Sequence, residues 1–450
     1  MFLGDSVTTF ANQSPAQKLS ASLEQELESS DGPVRALVVF ELPEPTGQGP
    51  AEMANERRQK IAEIAGNIQQ QVGADLGKSR AFTAVAALAA DIDQTTATAL
   101  SQRPDVKALD LDQRLFLELE TVIPLLGIDQ MHAIIDPAGG IQGAGGKLAV
   151  IDSGIVEVPD LEYNESDLSE ACFCVECCLN NTADQAFGPA SAHDDFGHGT
   201  QVLGAAASQG VNAGVGPAPL TQAVVAKVVA DDGSMFMSDI VAALDWVANQ
   251  HADTDVLNMS LGTSLTYPNE CNGAASWIDV FEEAIDLVIA NGTLVVASAG
   301  NGGVHTEMSV PACLSQVIAV GATYTTDYSS AIGYSGADCT DLMPTQDALA
   351  CFSNVSTTTD VMAPGAFVQV PNNSGGISNV AGTSFSAPIV SGCLVQIMAA
   401  EPSAVPEVVR ASLAKTDVLV STDSGEIPRL DCLSAYQSVR TIFYDSFEAN

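Results

Sequence analysis

A chain of 450 residues, 46% of them apolar, is long enough to build one large core plus a second, smaller domain. Its 56 acidic side chains against 16 basic ones leave a formal charge of −40, which repels nucleic acid and anionic membrane surfaces and argues against either as a partner. No apolar segment is read as reaching the roughly 18 residues of a bilayer span and no short period repeats, so the sequence predicts a soluble globular protein whose acidic surface suits an extracellular or saline setting.

Two asymmetries divide the chain. The basic residues concentrate between Lys18 and Arg114, whereas all ten cysteines lie at or beyond Cys172. An even number of cysteines confined to one unit reads as disulfides made outside the cytosol.

Residues 1–33 are polar, lack the apolar core of a secretory signal, and are read as a flexible leader. From residue 34 to 117 strands alternate with helices: RALVVFEL, then a charged amphipathic helix over Ala51 to Val72, AFTAVAALAADI, a helix over Gln94 to Gln102, and VKALDLD. That order predicts a small ferredoxin-like α/β domain, without histidine, cysteine or a catalytic-looking carboxylate pair. The segment LFLELETVIPL joins it to a larger unit, residues 118–440.

The glycine-rich PAGGIQGAGGK is not a phosphate cradle, because Leu148 follows Lys147 where a Ser or Thr and a helix are needed. The strand KLAVIDSGI follows, a continuous apolar run suited to burial on both faces, with Asp152 at its C-terminal end, where ligands of open α/β sheets gather. An aspartate there is also an ordinary turn cap. After an acidic insertion carrying CFCVECC comes HDDFGHGTQVLGAAAS, which puts His198 at the start of a small-residue helix. His198 is the candidate general base; His193 lacks glycine clearance and is set aside.

QAVVAKVV, DVLNMSL and GTLVVASAG alternate with helices over Ser238 to His251 and Ile278 to Ala290, the pattern of a doubly wound, mostly parallel sheet with helices on both faces. Just after the third strand, Asn301 can aim its amide at a tetrahedral oxygen. GTSFSAP then delivers Ser384 to the start of an apolar helix running through Ile389 to Ala399, where free N–H groups favour a developing oxyanion. Ser384 is the candidate nucleophile, with Asp152 orienting His198. EPSAVPEVVRASLAKTD reads as an amphipathic helix with Pro406 near its first turn, and residues 441–450 as a short C-terminal tail.

In order, VIDSGI, GHGT, NMSLG, SAGN, PACLSQVIAVGA, APG and GTSFSAP resemble the subtilisin-like serine proteases, from about residue 120 to the end. The chain order Asp, His, Ser matches the general template for that family. The resemblance implies a serine endopeptidase with Asp152, His198 and Ser384 as triad and Asn301 and Ser384 forming the oxyanion hole. It further implies Ser260, Leu261 and Gly262 as the edge that pairs with extended substrate, and Ala299 and Gly300 lining the primary pocket. The front domain resembles an inhibitory propeptide, with LFLELETV as a strand lying in the cleft. Polypeptide substrates and the protein's own propeptide are the partners implied, and a secreted monomer is expected. The alternative is an idle relative kept for binding or scaffolding.

Gln201 stands where the family usually has a second histidine. Cys172, Cys174, Cys177 and Cys178 are read as disulfides in preference to a zinc site, because adjacent Cys177 and Cys178 suit tetrahedral ligation poorly. Cys271 with Cys313, Cys339 with Cys351 and Cys393 with Cys432 are further candidate bridges, although spacing does not decide connectivity. The chemistry requires no cofactor; structural calcium is left open with no ligands assigned, since no loop has a recognisable ligand spacing.

Overall fold

The computed structural model describes residues 18–30, 32–43, 50–72, 79–81, 86–111, 118–134, 141–179 and 181–448. They belong to two compact units that divide between Leu115 and Phe116.

In the first unit, four antiparallel strands lie in the order Ser79–Ala81, Ala87–Ile92, Val34–Phe40, Val106–Leu111. Alternation along VRALVVF buries Val34, Ala36, Val38 and Phe40 on one face. Ile61, Ile64 and Ile68 of the helix Pro50–Val72 complete that core. The flexible-leader reading of 1–33 is corrected from residue 18 onward, residues 1–17 lying outside the described set. Ala21–Ser29 is a helix whose N-cap Ser20 accepts from the Leu23 N–H at 3.3 Å. Leu23 and Leu27, four apart on an otherwise polar run, are buried in the same core.

The second unit is built on strands β1 (Lys147–Asp152), β2 (Leu168–Cys178), β3 (Ala183–Phe187), β4 (Gln222–Lys227), β5 (Val256–Met259), β6 (Leu294–Ser298), β7 (Ile318–Tyr324) and β8 (Val361–Ala366). They form one eight-stranded sheet in the order β8-β7-β6-β5-β1-β4-β2-β3. Every neighbouring pair is parallel except the antiparallel β2–β3 hairpin. Helices α1 (His198–Ala207) and α4 (Thr383–Ala400) cover one face, and α2 (Met237–Gln250) and α3 (Ser276–Ile289) the other. Period two sorts the side chains: Leu148 and Val150 of β1 enter the core with α1 and α4, Ala149 and Ile151 the core with α2 and α3. Burial on both faces is why these strands read as unbroken apolar runs.

Three expectations are corrected. Helix α4 has 18 residues and mean hydropathy 1.4, enough by length and composition for a membrane span, and 83% of it is buried in this fold. It is apolar all round because protein surrounds it on all sides. Leu115 to Val122, expected as a strand from the resemblance, is helical from Glu118 in a helix that runs Glu118–Leu125, with Leu115 to Leu117 outside the described residues; Val122, Ile123 and Leu126 pack into the α1–α4 core. The last helix runs Cys432–Glu448, so no break separates a tail at residue 441.

Disulfides join Cys172 to Cys178, Cys174 to Cys177, Cys271 to Cys313, Cys339 to Cys351 and Cys393 to Cys432. No cysteine is left as a thiol, so the zinc reading of CFCVECC fails for want of thiolates.

Candidate active site

Asp152 ends β1 at the C-terminal edge of the sheet, and α1 begins directly opposite with His198. The two elements approach closely because Gly199 has no side chain: a methyl group there would lie 2.3 Å from the Gly154 carbonyl oxygen. The His198 Nδ1 and Asp152 Oδ1 are 2.8 Å apart, and the same oxygen accepts from the Ser153 N–H at 2.7 Å. Asp152 is buried, whereas the imidazole keeps partial access to solvent and leans on the Phe385 ring at 5.6 Å.

Burial pulls the imidazole's pKa down, but the Asp152 charge, its hydrogen bond and the Asp194 charge together outweigh burial and leave His198 above the ordinary histidine value. Asp194 was not singled out from the sequence, although it stands four residues ahead of His198 in the same run. It is buried; its Oδ1 accepts from the Ser153 hydroxyl at 2.8 Å and the Gly197 N–H at 2.6 Å, and its Oδ2 from the Thr200 N–H at 2.8 Å and hydroxyl at 2.6 Å. One carboxylate thus ties the end of β1 to the start of α1. His193 faces outward, with Asp195 at 3.6 Å.

Ser384 sits in the first turn of α4, where backbone N–H groups lack intrahelical partners. Its hydroxyl donates to the Ser260 carbonyl at 3.4 Å, and the Ser260 hydroxyl donates to the Ser384 carbonyl at 2.8 Å. Asn258 and Ser391 extend this chain through the core: the Asn258 Nδ2 donates to the Ser260 Oγ at 2.9 Å and the Ser391 hydroxyl to the Asn258 Oδ1 at 3.0 Å. The start of α4 and the segment that carries Ser260 are therefore locked together.

Asn301 follows β6. Its Oδ1 accepts from the Thr383 N–H at 2.8 Å and hydroxyl at 2.9 Å, so the acceptor end of the amide is spent and the donor end remains for a ligand. Ser384 and Asn301 open onto a cleft of about 520 Å³ that Ser260, Leu261, Gly262 and Gly300 also line. Ala299 does not line it: it is fully buried, with its N–H given to the Val320 carbonyl at 3.0 Å and its carbonyl accepting from the Ser309 N–H at 3.2 Å. Period two turns Ala299 into the core and brings Ser298 to the cleft instead. Ser309 and Asn354 form the far side. Gln201 lies in α1, half-buried.

Among the described residues, no group of three or more His, Cys, Asp or Glu side chains is placed to hold a metal ion. A histidine bonded to a buried aspartate, together with a serine in the first turn of a helix and an amide donor that share one cleft, is a set suited to acyl transfer.

The family model of the Subtilase family matches residues 143–431, the part of the chain that carries every one of these groups. The chain belongs to the subtilase family. Among curated relatives of this subtilase, the alkaline elastase YaB of Bacillus sp. (strain YaB) is 31% identical over 308 residues, covering 66% of this chain and 68% of the relative. Subtilisin NAT of Bacillus subtilis subsp. natto is 28% identical over 370 residues, covering 80% of each. Among solved structures, the S41 psychrophilic protease superposes with a TM-score of 0.51 at 27% identity, covering 67% of this chain and 94% of that one. The protein is a subtilisin-like serine endopeptidase acting on polypeptides, and subtilases need no cofactor for that chemistry.

Proposed function

We propose that Ser384 attacks the peptide carbonyl, that His198 takes the hydroxyl proton and delivers it to the leaving amine, and that Asp152 holds the imidazole in the productive tautomer. The observation that carries this assignment is the 2.8 Å bond between Asp152 Oδ1 and His198 Nδ1, on an imidazole that rests against Phe385, the residue next to Ser384. The Ser384 hydroxyl rests on the Ser260 carbonyl and must rotate to meet the imidazole. The Ser384 N–H and the Asn301 Nδ2 hold the oxyanion, and water then frees the acyl group. Ser260, Leu261 and Gly262 bind the substrate backbone as an added strand. All these residues come from one chain, so a monomer suffices.

The first unit acts as an intramolecular inhibitor and folding aid that is later cut away. In support, the match to subtilisin NAT covers 80% of this chain, more than the residues from 116 onward supply, so it takes in part of the first unit. Five disulfides favour assembly in an oxidising compartment outside the cell.

Fluorophosphonate labelling tests the nucleophile. Wild type labels on Ser384 and loses an N-terminal fragment on incubation; Ser384→Ala does neither. A processed sample that stays unlabelled would defeat the assignment.

A further inference from the structure

Gly262, Gly300 and Ser309 all line the cleft beside Ser384, and a methyl group placed on either glycine shows how near Ser309 comes to it. A methyl group on Gly262 would lie 3.2 Å from the Ser309 Cβ; one on Gly300 would lie 2.5 Å from the Ser309 Oγ and 2.4 Å from the Asn354 Nδ2. A side chain entering between the two glycines therefore meets Ser309 as its floor.

That floor is held in place. The Ser309 N–H donates to the Ala299 carbonyl at 3.2 Å, so the residue is tied to the strand end beneath the cleft. Asn354, buried, cannot withdraw either. Its Oδ1 accepts from the Gly302 and Val304 N–H groups, both at 3.0 Å, its own N–H donates to the Gly300 carbonyl at 2.9 Å, and its Nδ2 donates to the Ser309 Oγ at 3.5 Å. The lining holds no Asp, Glu, Lys, Arg or His. Glu307 reaches it only through a bond to the Thr266 hydroxyl. A charged side chain entering here would lose its water and find no counter-ion.

We infer that this enzyme selects substrates with a small uncharged side chain, alanine or serine, on the residue whose carbonyl is attacked, and that Ser309 sets the size limit. The inference rests on the protease reading above and names its substrate class. A Leu or Phe side chain has to displace Ser309, which is braced by Asn354 and by the backbone of Ala299. Alanine and serine fill the space above the Ser309 hydroxyl without displacing anything.

The experiment measures kcat/KM for peptide p-nitroanilides Ala-Ala-Pro-Xaa, with Xaa Ala, Ser, Leu, Phe, Lys or Glu, on preparations titrated with a fluorophosphonate. One methylene too many or too few in an enclosed pocket shifts kcat/KM by about 10- to 200-fold, so Ala and Ser lead Phe, Lys and Glu by about 10-fold or more. Ser309→Gly raises the Phe-to-Ala ratio by about 10-fold or more, since two heavy atoms leave the floor. Ser309→Ala keeps the Cβ and removes only the Oγ; it moves the ratio in the same direction by a smaller factor and decides the matter if Ser309→Gly does not fold. Wild type that labels on Ser384 and prefers Phe or Lys overturns the inference and leaves the protease reading standing. So does a Phe-to-Ala ratio unmoved by the substitutions. A preparation that neither labels nor cleaves any of the peptides overturns both.

Discussion

At His198 the acid limb of the pH–rate profile is set by the imidazole's surroundings. As the proposed base, His198 must be neutral to accept the serine proton, and its folded pKa lies above the ordinary 6.5, so kcat/KM of the free enzyme is expected to fall as pH drops through a value higher than 6.5. Asp194→Asn removes one negative charge that raises that pKa. The limb is then expected to move to lower pH, together with a loss of rate, in a kcat/KM profile against pH; a role confined to packing would lower the rate and leave the limb where it is. Asn301→Ala tests the oxyanion donor. A loss of about 100- to 1,000-fold in kcat with little change in KM is expected from steady-state kinetics, because the developing oxyanion exists only in the transition state. Asp152, His198, Asn301 and Ser384 are legible in the sequence because each stands in a short glycine-marked motif. Asp194 and Asn354 are not, because each works by accepting bonds from backbone N–H groups, and a backbone N–H leaves no mark in the identity of the residue that carries it.

Among the elements, α4 bears the most, since it presents Ser384 and fills the core against α1. The Cys393–Cys432 bridge fastens its middle to the start of the last helix, across 39 residues of sequence. Replacing both cysteines by alanine is expected to cost about 2–4 kcal/mol, read from urea unfolding of the processed enzyme. A shift in the midpoint with an unchanged slope would place the loss in stability and not in a new unfolded ensemble. Strands β1, β4, β5 and β6 were legible because burial on both faces writes continuous apolar runs, and glycines mark their ends, whereas β2, β3, β7 and β8 were not read as strands. Two helices were hidden as well. Ala21–Ser29 shows too few apolar residues for its period to be recognised, and Glu118–Leu125 overlaps a stretch expected as a strand only through the resemblance. In both, packing against residues far away in sequence decides the outcome.

Over the whole molecule, 40 uncompensated negative charges repel one another. Self-repulsion disfavours the compact state, and salt screens it over about 10 Å at 0.1 M and about 3 Å at 1 M. The melting temperature of the processed enzyme is therefore expected to rise between about 0.02 M and 1 M NaCl, as followed by circular dichroism. A melting temperature that falls over that range would mean that favourable ion pairs, such as Arg410 with Asp360 at 2.9 Å, outweigh the repulsion. The net charge was legible from composition alone.

The Asn354 amide has one further consequence, for anyone who wishes to recut the recognition of cleavage sites. It pins the turn on which Asn301 rides and at the same time braces Ser309. Turnover and selectivity share that hinge pin, so a change at Asn354 disturbs both at once. Ser309 is the position to redesign, with its brace left untouched.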